Sequence, residues 1–272
     1  MILTCRALAA GWAGAGASVG LSAGVLGVGG GIIMVPAMAF VFEALGYGTD
    51  VVMHVAVGTS LAVIIATGTS SARAHHARGA VDGQLLRLWG PFIVAASLLG
   101  GLMAGLYSGD VLRIIFGVVA LFIALNIVLP IQKQLMSHLS ASPMANRVSA
   151  AVVGYISALM GIGGGSLSVP TLVAFGNPVH RAVGTSSALG VMLAIPGALG
   201  FVISGWTVAG RPPLSIGYVN LPAMVLIGAV ASGVAPLGAS LAHRLDQKRL
   251  KLVFAVFLVV VAVRMIVQVA MG

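Results

Sequence analysis

Acidic residues are what this chain has least of: five Asp and Glu against 14 Lys and Arg, with charged residues only 7% of 272. A soluble domain carries about 25% charged residues, so a chain this poor in charge cannot cover a water-facing surface. Cys5 is the single cysteine, which excludes an internal disulfide or a thiolate metal cluster. The net charge of +9 could suggest a nucleic-acid partner, but the basic residues sit in short loops between apolar runs, where membrane orientation puts them. What the chain has in excess is apolar sequence, 59% of residues and a mean hydropathy of +1.12. Several uncharged runs reach the roughly 20 residues that cross a hydrocarbon core. The composition therefore predicts an all-α polytopic membrane protein embedded in a lipid bilayer, with function confined to the spans. Arg6 and the apolar run after it faintly resemble a signal peptide, but the run continues into the motif below and is read as retained.

That motif is written twice. Gly27-Val28-Gly29-Gly30-Gly31 with Pro36 beyond it returns 134 residues later as Gly161-Ile162-Gly163-Gly164-Gly165 with Pro170. Glycine triplets break helices, and proline is accepted in the first turn of a new one, so each copy reads as a broken membrane helix. Ala56-Val57-Gly58-Thr59-Ser60 is matched by Ala182-Val183-Gly184-Thr185-Ser186 at an offset of 126, and the run from Val111 to Phe116 by that from Arg249 to Phe254 at 138. Three matches in the same order indicate a duplication. The expected organisation is a first repeat over 1–131, a connector over 132–147 and a second repeat over 148–272. Each repeat holds a glycine-broken hairpin or broken helix plus three transmembrane helices. The first repeat's runs are 8–26, where Gly16, Gly20 and Gly24 suit close helix packing, then 31–42, 51–71, 88–108 and 111–131. The second repeat's are 148–161, 166–176, 183–203, 217–241 and 252–271.

Charge orients the halves. If each cluster returns to its own side, each repeat has an odd number of crossings and the second is inverted; ten Lys and Arg then face the side of Arg73, Arg78 and Arg87, against three opposite. Eight simple crossings give seven against six, with Arg264 omitted from both counts as intramembrane, so the positive-inside rule favours inverted repeats. A shallow hairpin and a full span followed by a half-helix share the same parity and stay open alternatives.

Inverted repeats with interrupted helices place their breaks near the midplane. Two helix N-termini there, starting near Gly31 and Gly165, offer backbone N–H groups and about half a positive charge each, which attract an anion. The expected substrate site comprises Gly29, Gly30, Gly31, Thr59 and Ser60 with Gly163, Gly164, Gly165, Thr185 and Ser186, the hydroxyls donating beside the glycine amides. The alternative for the Thr-Ser pairs is hydrogen bonding back within their own helix. His54 and His180, related by the same offset of 126, are candidates for proton coupling or substrate contact, balanced by satisfaction from loop carbonyls. Arg264 and its counterpart Asn126 are the remaining polar positions expected within spans. No Asp or Glu falls deep in a span; an outward-moving anion is driven by an inside-negative potential, so export needs no coupling. His75 and His76 lack the partners of a metal site, and no cofactor is implied. Neither facing His pairs nor a nucleophile with a base occurs in the spans, which argues against an enzyme.

The motifs GVGGGIIMVP with AVGTS, and GIGGGSLSVP with AVGTSS, resemble the two halves of the TauE/SafE sulfite exporter family over nearly the whole chain. The resemblance implies a range of sulfur-containing anions such as sulfite or organosulfonates, in a bacterial cytoplasmic membrane; together with the inverted repeats and paired helix starts, the expectation is an alternating-access carrier, with a homo-oligomer left open. An anion channel, or a carrier of a carboxylate or an uncharged metabolite, would read similarly. On this topology, a tag near Arg211 and one near Lys248 are expected on opposite sides, with Lys248 cytoplasmic; reporter fusions check it, and finding Arg78 and Lys248 on different sides would remove the inversion.

Overall fold

A computed structural model describes residues 30–129, 142–242 and 247–271. The Gly16, Gly20 and Gly24 stripe, Gly29 and most of the 132–147 connector lie outside these. Five helices among the described residues are long and apolar enough to cross a membrane.

In chain order the helices are α1 (Gly31–Ala44), α2 (Thr49–Ala77), α3 (Gly83–Ala104) and α4 (Gly109–Val128). Then come α5 (Pro143–Met160), α6 (Gly165–Ala174) and α7 (Val179–Ser204). A two-residue hairpin, β1 (Ser215–Ile216) against β2 (Val219–Asn220), leads into α8 (Leu221–Ala242) and α9 (Gln247–Met271). Helix starts follow local chemistry: Asp82, Ser108 and Ser142 each cap a helix by accepting backbone N–H bonds. Both prolines expected in a first turn fall one turn later, as the sixth residues of α1 and α6, where each removes one helical bond.

α2 and α7 pack together at the centre, α3 lies against both α5 and α7, and α4 pairs with α9. Lipid-like packing needs small residues, because nothing hydrophobic drives helices together in hydrocarbon. At the α3–α7 crossing a Cβ on Gly101 would stand 2.5 Å from Gly197 O.

The breaks set the architecture. α5 starts beside Trp89, whose Nε1–H donates to Asn146 Oδ1 (3.0 Å), and runs inward until Gly161, at φ 65°, ends it in the left-handed region that glycine adopts without strain. α6 then returns, bringing the Phe175 ring edge-on to Trp89 at 6.4 Å. The α5–α6 pair thus enters and leaves by the end of the molecule that carries Arg87, and α6 spans about 15 Å, half a hydrocarbon core. The second glycine cluster is therefore the tip of a hairpin. α1 begins against that tip, where a Cβ on Gly31 would stand 2.6 Å from Gly161 O. It runs the other way, to an end where the Glu43 carboxylate accepts from Arg113 Nη2 (2.9 Å).

The two Ala-Val-Gly-Thr-Ser runs do one job twice. Gly58 on α2 lets the backbone at Tyr218 cross, a Cβ there meeting Tyr218 O at 2.7 Å, and Thr59 Oγ1 accepts the Asn220 N–H at 2.9 Å. On α7, Gly184 lies against Ala80 O and Thr185 Oγ1 accepts the Asp82 N–H at 3.0 Å. Asn220 and Asp82 are 138 apart, and each side chain accepts the first N–H groups of the helix that follows it. Gly79 and Gly217, also 138 apart, share a positive φ of 67° and 56°. Replacing Thr59 or Thr185 by Val orphans a buried N–H and is expected to cost about 1–3 kcal/mol in each case, with Ser restoring most of it, as read by thermal unfolding in detergent.

Candidate functional site

Around the hairpin tip the polar groups are few and closely set. Ser60 Oγ donates to Gly161 O at 2.7 Å, tying the middle of α2 to the turn on which Gly31 rests. Gly164 lies on α7, where a Cβ would stand 2.9 Å from Gly190 N and 3.0 Å from Ser186 O. α1 and α6 therefore begin at the same place, beside the middles of α2 and α7. The helical bonds of α1 begin with Ile33 and Met34 donating to Gly30 O, and those of α6 with Ser168 donating to Gly164 O. The N–H groups ahead of these lie at helix ends, aimed out of them, with the positive ends of both dipoles.

Of the expected site residues, Gly30, Gly31, Gly163, Gly164 and Gly165 gather here, and Gly29 lies outside the described residues. The hydroxyls divide. Thr59, Ser60 and Thr185 are fully buried and hold backbone groups of other elements, neither pointing back into their own helix nor standing open. Ser186 is also fully buried, and among the described residues its Oγ has no hydrogen-bond partner. Ser157 and Ser168 share that condition; the sequence reading passed over both. The signal was there, since they stand four residues before Gly161 and three after Gly165.

The two histidines part company. His54 is buried, with Nδ1 2.8 Å from Asp50 O and Nε2 3.0 Å from Ala104 O and 3.1 Å from Tyr107 O. A neutral imidazole has one N–H and donates at one end only; the imidazolium donates at both. Its ring stacks on Tyr218 at 4.7 Å, and burial raises that phenol's pKa above its usual value although Arg211 works to lower it. His54 thus closes the carbonyl end of α3. His180 is exposed at the start of α7.

Arg264 is half-exposed, 3.8 Å from Glu43 Oε2 and 4.8 Å above the Phe40 ring, at the far end of α1 from Gly31. Glu43 also accepts from buried Arg113 and from Gln268, an ion cluster that sequence reasoning did not anticipate because its members are up to 225 residues apart. Asn126 donates back to Phe122 O within its own helix. Among the described residues, no group of three His, Cys, Asp or Glu stands where it could hold a metal ion.

The profile of the family described as "Sulfite exporter TauE/SafE" matches residues 12–265. A probable membrane transporter protein of Haemophilus influenzae is 35% identical, covering 93% of this chain and 96% of its own. The probable membrane transporter protein YunE of Bacillus subtilis is 29% identical (92% and 96% covered), and one of Methanocaldococcus jannaschii 24% (91% of each). No solved structure matches.

Replacing His54 by Leu strands the α3 carbonyls and is expected to destabilise by about 1–3 kcal/mol, whereas His180→Leu stays within about 0.5 kcal/mol of the parent. Thermal unfolding midpoints of the two variants check the contrast.

Proposed function

The chain belongs to the sulfite exporter TauE/SafE family and is a multi-pass membrane transporter, and from that premise we propose that it is a carrier for a small sulfur-containing anion such as sulfite or an organosulfonate. The observation that carries the anion reading is the meeting of two helix N-termini at the hairpin tip, with Ser186 against Gly164, Ser168 in the first turn of α6 and Ser157 in the last turn of α5, each buried with a hydroxyl that has no partner among the described residues. Positive dipole ends and hydroxyl donors favour an oxyanion, while excluding water makes each bond stronger. The preference for sulfur over carboxylate rests on the family description.

Alternating access is the second half of the proposal, and inverted repeats supply its mechanism. Arg181 lies 3.8 Å from Asp82, and Ser71 Oγ donates to Ser187 Oγ at 3.3 Å, so the end of α2 and the start of α7 share one face. That favours the parity in which Arg181 joins Arg73, Arg78 and Arg87, and it sets α2 antiparallel to its sequence counterpart α7. The short helices α1 and α6 likewise run from a common middle to opposite ends. On this reading the repeats span 1–131 and 148–272 around the 132–147 connector, and rocking of one against the other exposes the tip to each side in turn. An inside-negative potential drives each exported charge by about 2.3 kcal/mol per 100 mV, so export runs without a coupled ion.

Proteoliposome flux with sulfite, organosulfonates, sulfate and carboxylates tests the substrate. Saturable sulfite or sulfonate flux with substrate-dependent counterflow is expected, and flux without counterflow indicates a channel. Ser168→Ala and Ser186→Ala are each expected to raise the half-saturating concentration about tenfold or more, from the loss of a hydrogen bond to a charged group. Gly164→Leu should abolish flux; intact flux and binding in that variant would remove the site.

A further inference from the structure

Away from the broken helices, the loop between α2 and α3 and the first turn of α7 enclose a cleft of about 500 Å³ lined by Gly79, Asp82, Gln84, Arg87 and Arg181. That volume lies in the range of small-ligand sites. Its charge is unbalanced. Arg87 is exposed and has no ion pair among the described residues. Arg181 approaches Asp82 Oδ2 only to 3.8 Å, beyond hydrogen-bond reach, with its side chain 57% exposed. Asp82 Oδ1 is meanwhile engaged by the N–H groups of Gln84 (2.9 Å) and Leu85 (3.2 Å), capping α3.

Two helix starts border the same cleft. α3 begins at Gly83 and α7 at Val179, so Arg181 sits in a first turn, where the helix dipole disfavours a cation. Among the described residues, two guanidinium groups and two positive dipole ends thus share a single carboxylate, an arrangement that an anion would balance. Guanidinium forks match the geometry of phosphate and sulfate oxygens. The site also touches the repeat interlock, because the Asp82 N–H that borders it donates to Thr185 on α7.

We propose that this cleft is a second anion site, which takes a tetrahedral oxyanion between Arg87 and Arg181 at the end of the molecule bearing Arg73 and Arg78. A free oxyanion and the phosphate of an anionic lipid headgroup present the same chemistry. The inference does not rest on the broken-helix site.

The full-length protein in neutral phosphatidylcholine nanodiscs tests it, with thermal unfolding followed against sodium sulfate at constant ionic strength. Sulfate is expected to raise the midpoint of the parent protein, and the half-maximal concentration should rise about tenfold or more in Arg87→Gln and in Arg181→Gln. Asp82→Asn should lower it several-fold, because Asn caps a helix as well as Asp while releasing Arg181 from its one counter-charge among the described residues. A second arm replaces sulfate with phosphatidylglycerol: stabilisation by that lipid alone, lost in both arginine variants, keeps the site and assigns it to a headgroup. The proposal is overturned if neither probe distinguishes the arginine variants from the parent, or if Asp82→Asn weakens binding.

Discussion

A backbone N–H or C=O left without a partner in hydrocarbon costs several kcal/mol, and this constraint governs where the chain can interrupt a helix. The second break is made only where other protein groups meet it. Gly161 O accepts from Ser60, the Ile162 N–H closes onto Ser157 O, and the turn is roofed by α1, α2 and α7. Glycine is required here less for flexibility than for proximity, because Gly31 and Gly164 each bring one backbone against another. The same proximity aims two helix beginnings at one point. On the proposed function, a charged ligand in that position would supply a partner for those helix ends.

The interlock extends this logic outward. Thr59 and Thr185 hold backbone N–H groups that begin helices α8 and α3, so each central helix is fastened to the start of another helix 161 or 103 residues away. These buried threonines thereby hold structure together, while among the described residues the buried hydroxyls of Ser157, Ser168 and Ser186 have no hydrogen-bond partner. The ends differ in character. At one, Glu43 gathers Arg113 and Arg264, and Arg211 donates to the carbonyls of Val208, Gly217 and Trp206, closing the loop before β1. At the other, Arg87 and Arg181 face an open cleft.

Much of the helical order was legible in the residues. Glycine clusters marked the starts of α1 and α6 to within a residue, and apolar runs located the long helices among the described residues to within about six positions at each end, because both signals are local. What escaped notice depends on partners far apart in the chain. His54 and His180 occupy equivalent positions in the sequence, yet one is buried and the other exposed. The residue that stacks on His54 is Tyr218, and at the offset of 138 its counterpart is Ala80, a methyl group with no ring to offer. Thr59 and Thr185 were expected among the ligand's donors or bonded within their own helices; the oxygen of each accepts from a distant N–H, which no spacing rule foretells. The Glu43 cluster draws on α1, α4 and α9, and the small β1–β2 hairpin arises in a stretch with no alternating pattern to announce it.

The most direct measurement is anomalous diffraction from crystals grown with selenite, the heavier analogue of sulfite. One selenium peak between the starts of α1 and α6, within hydrogen-bond reach of the Gly31 or Gly165 amides and of Ser168 or Ser186, is the expected result. Selenium bound with comparable occupancy elsewhere in the spans, and absent from that point, would contradict the anion site on which the transport mechanism depends.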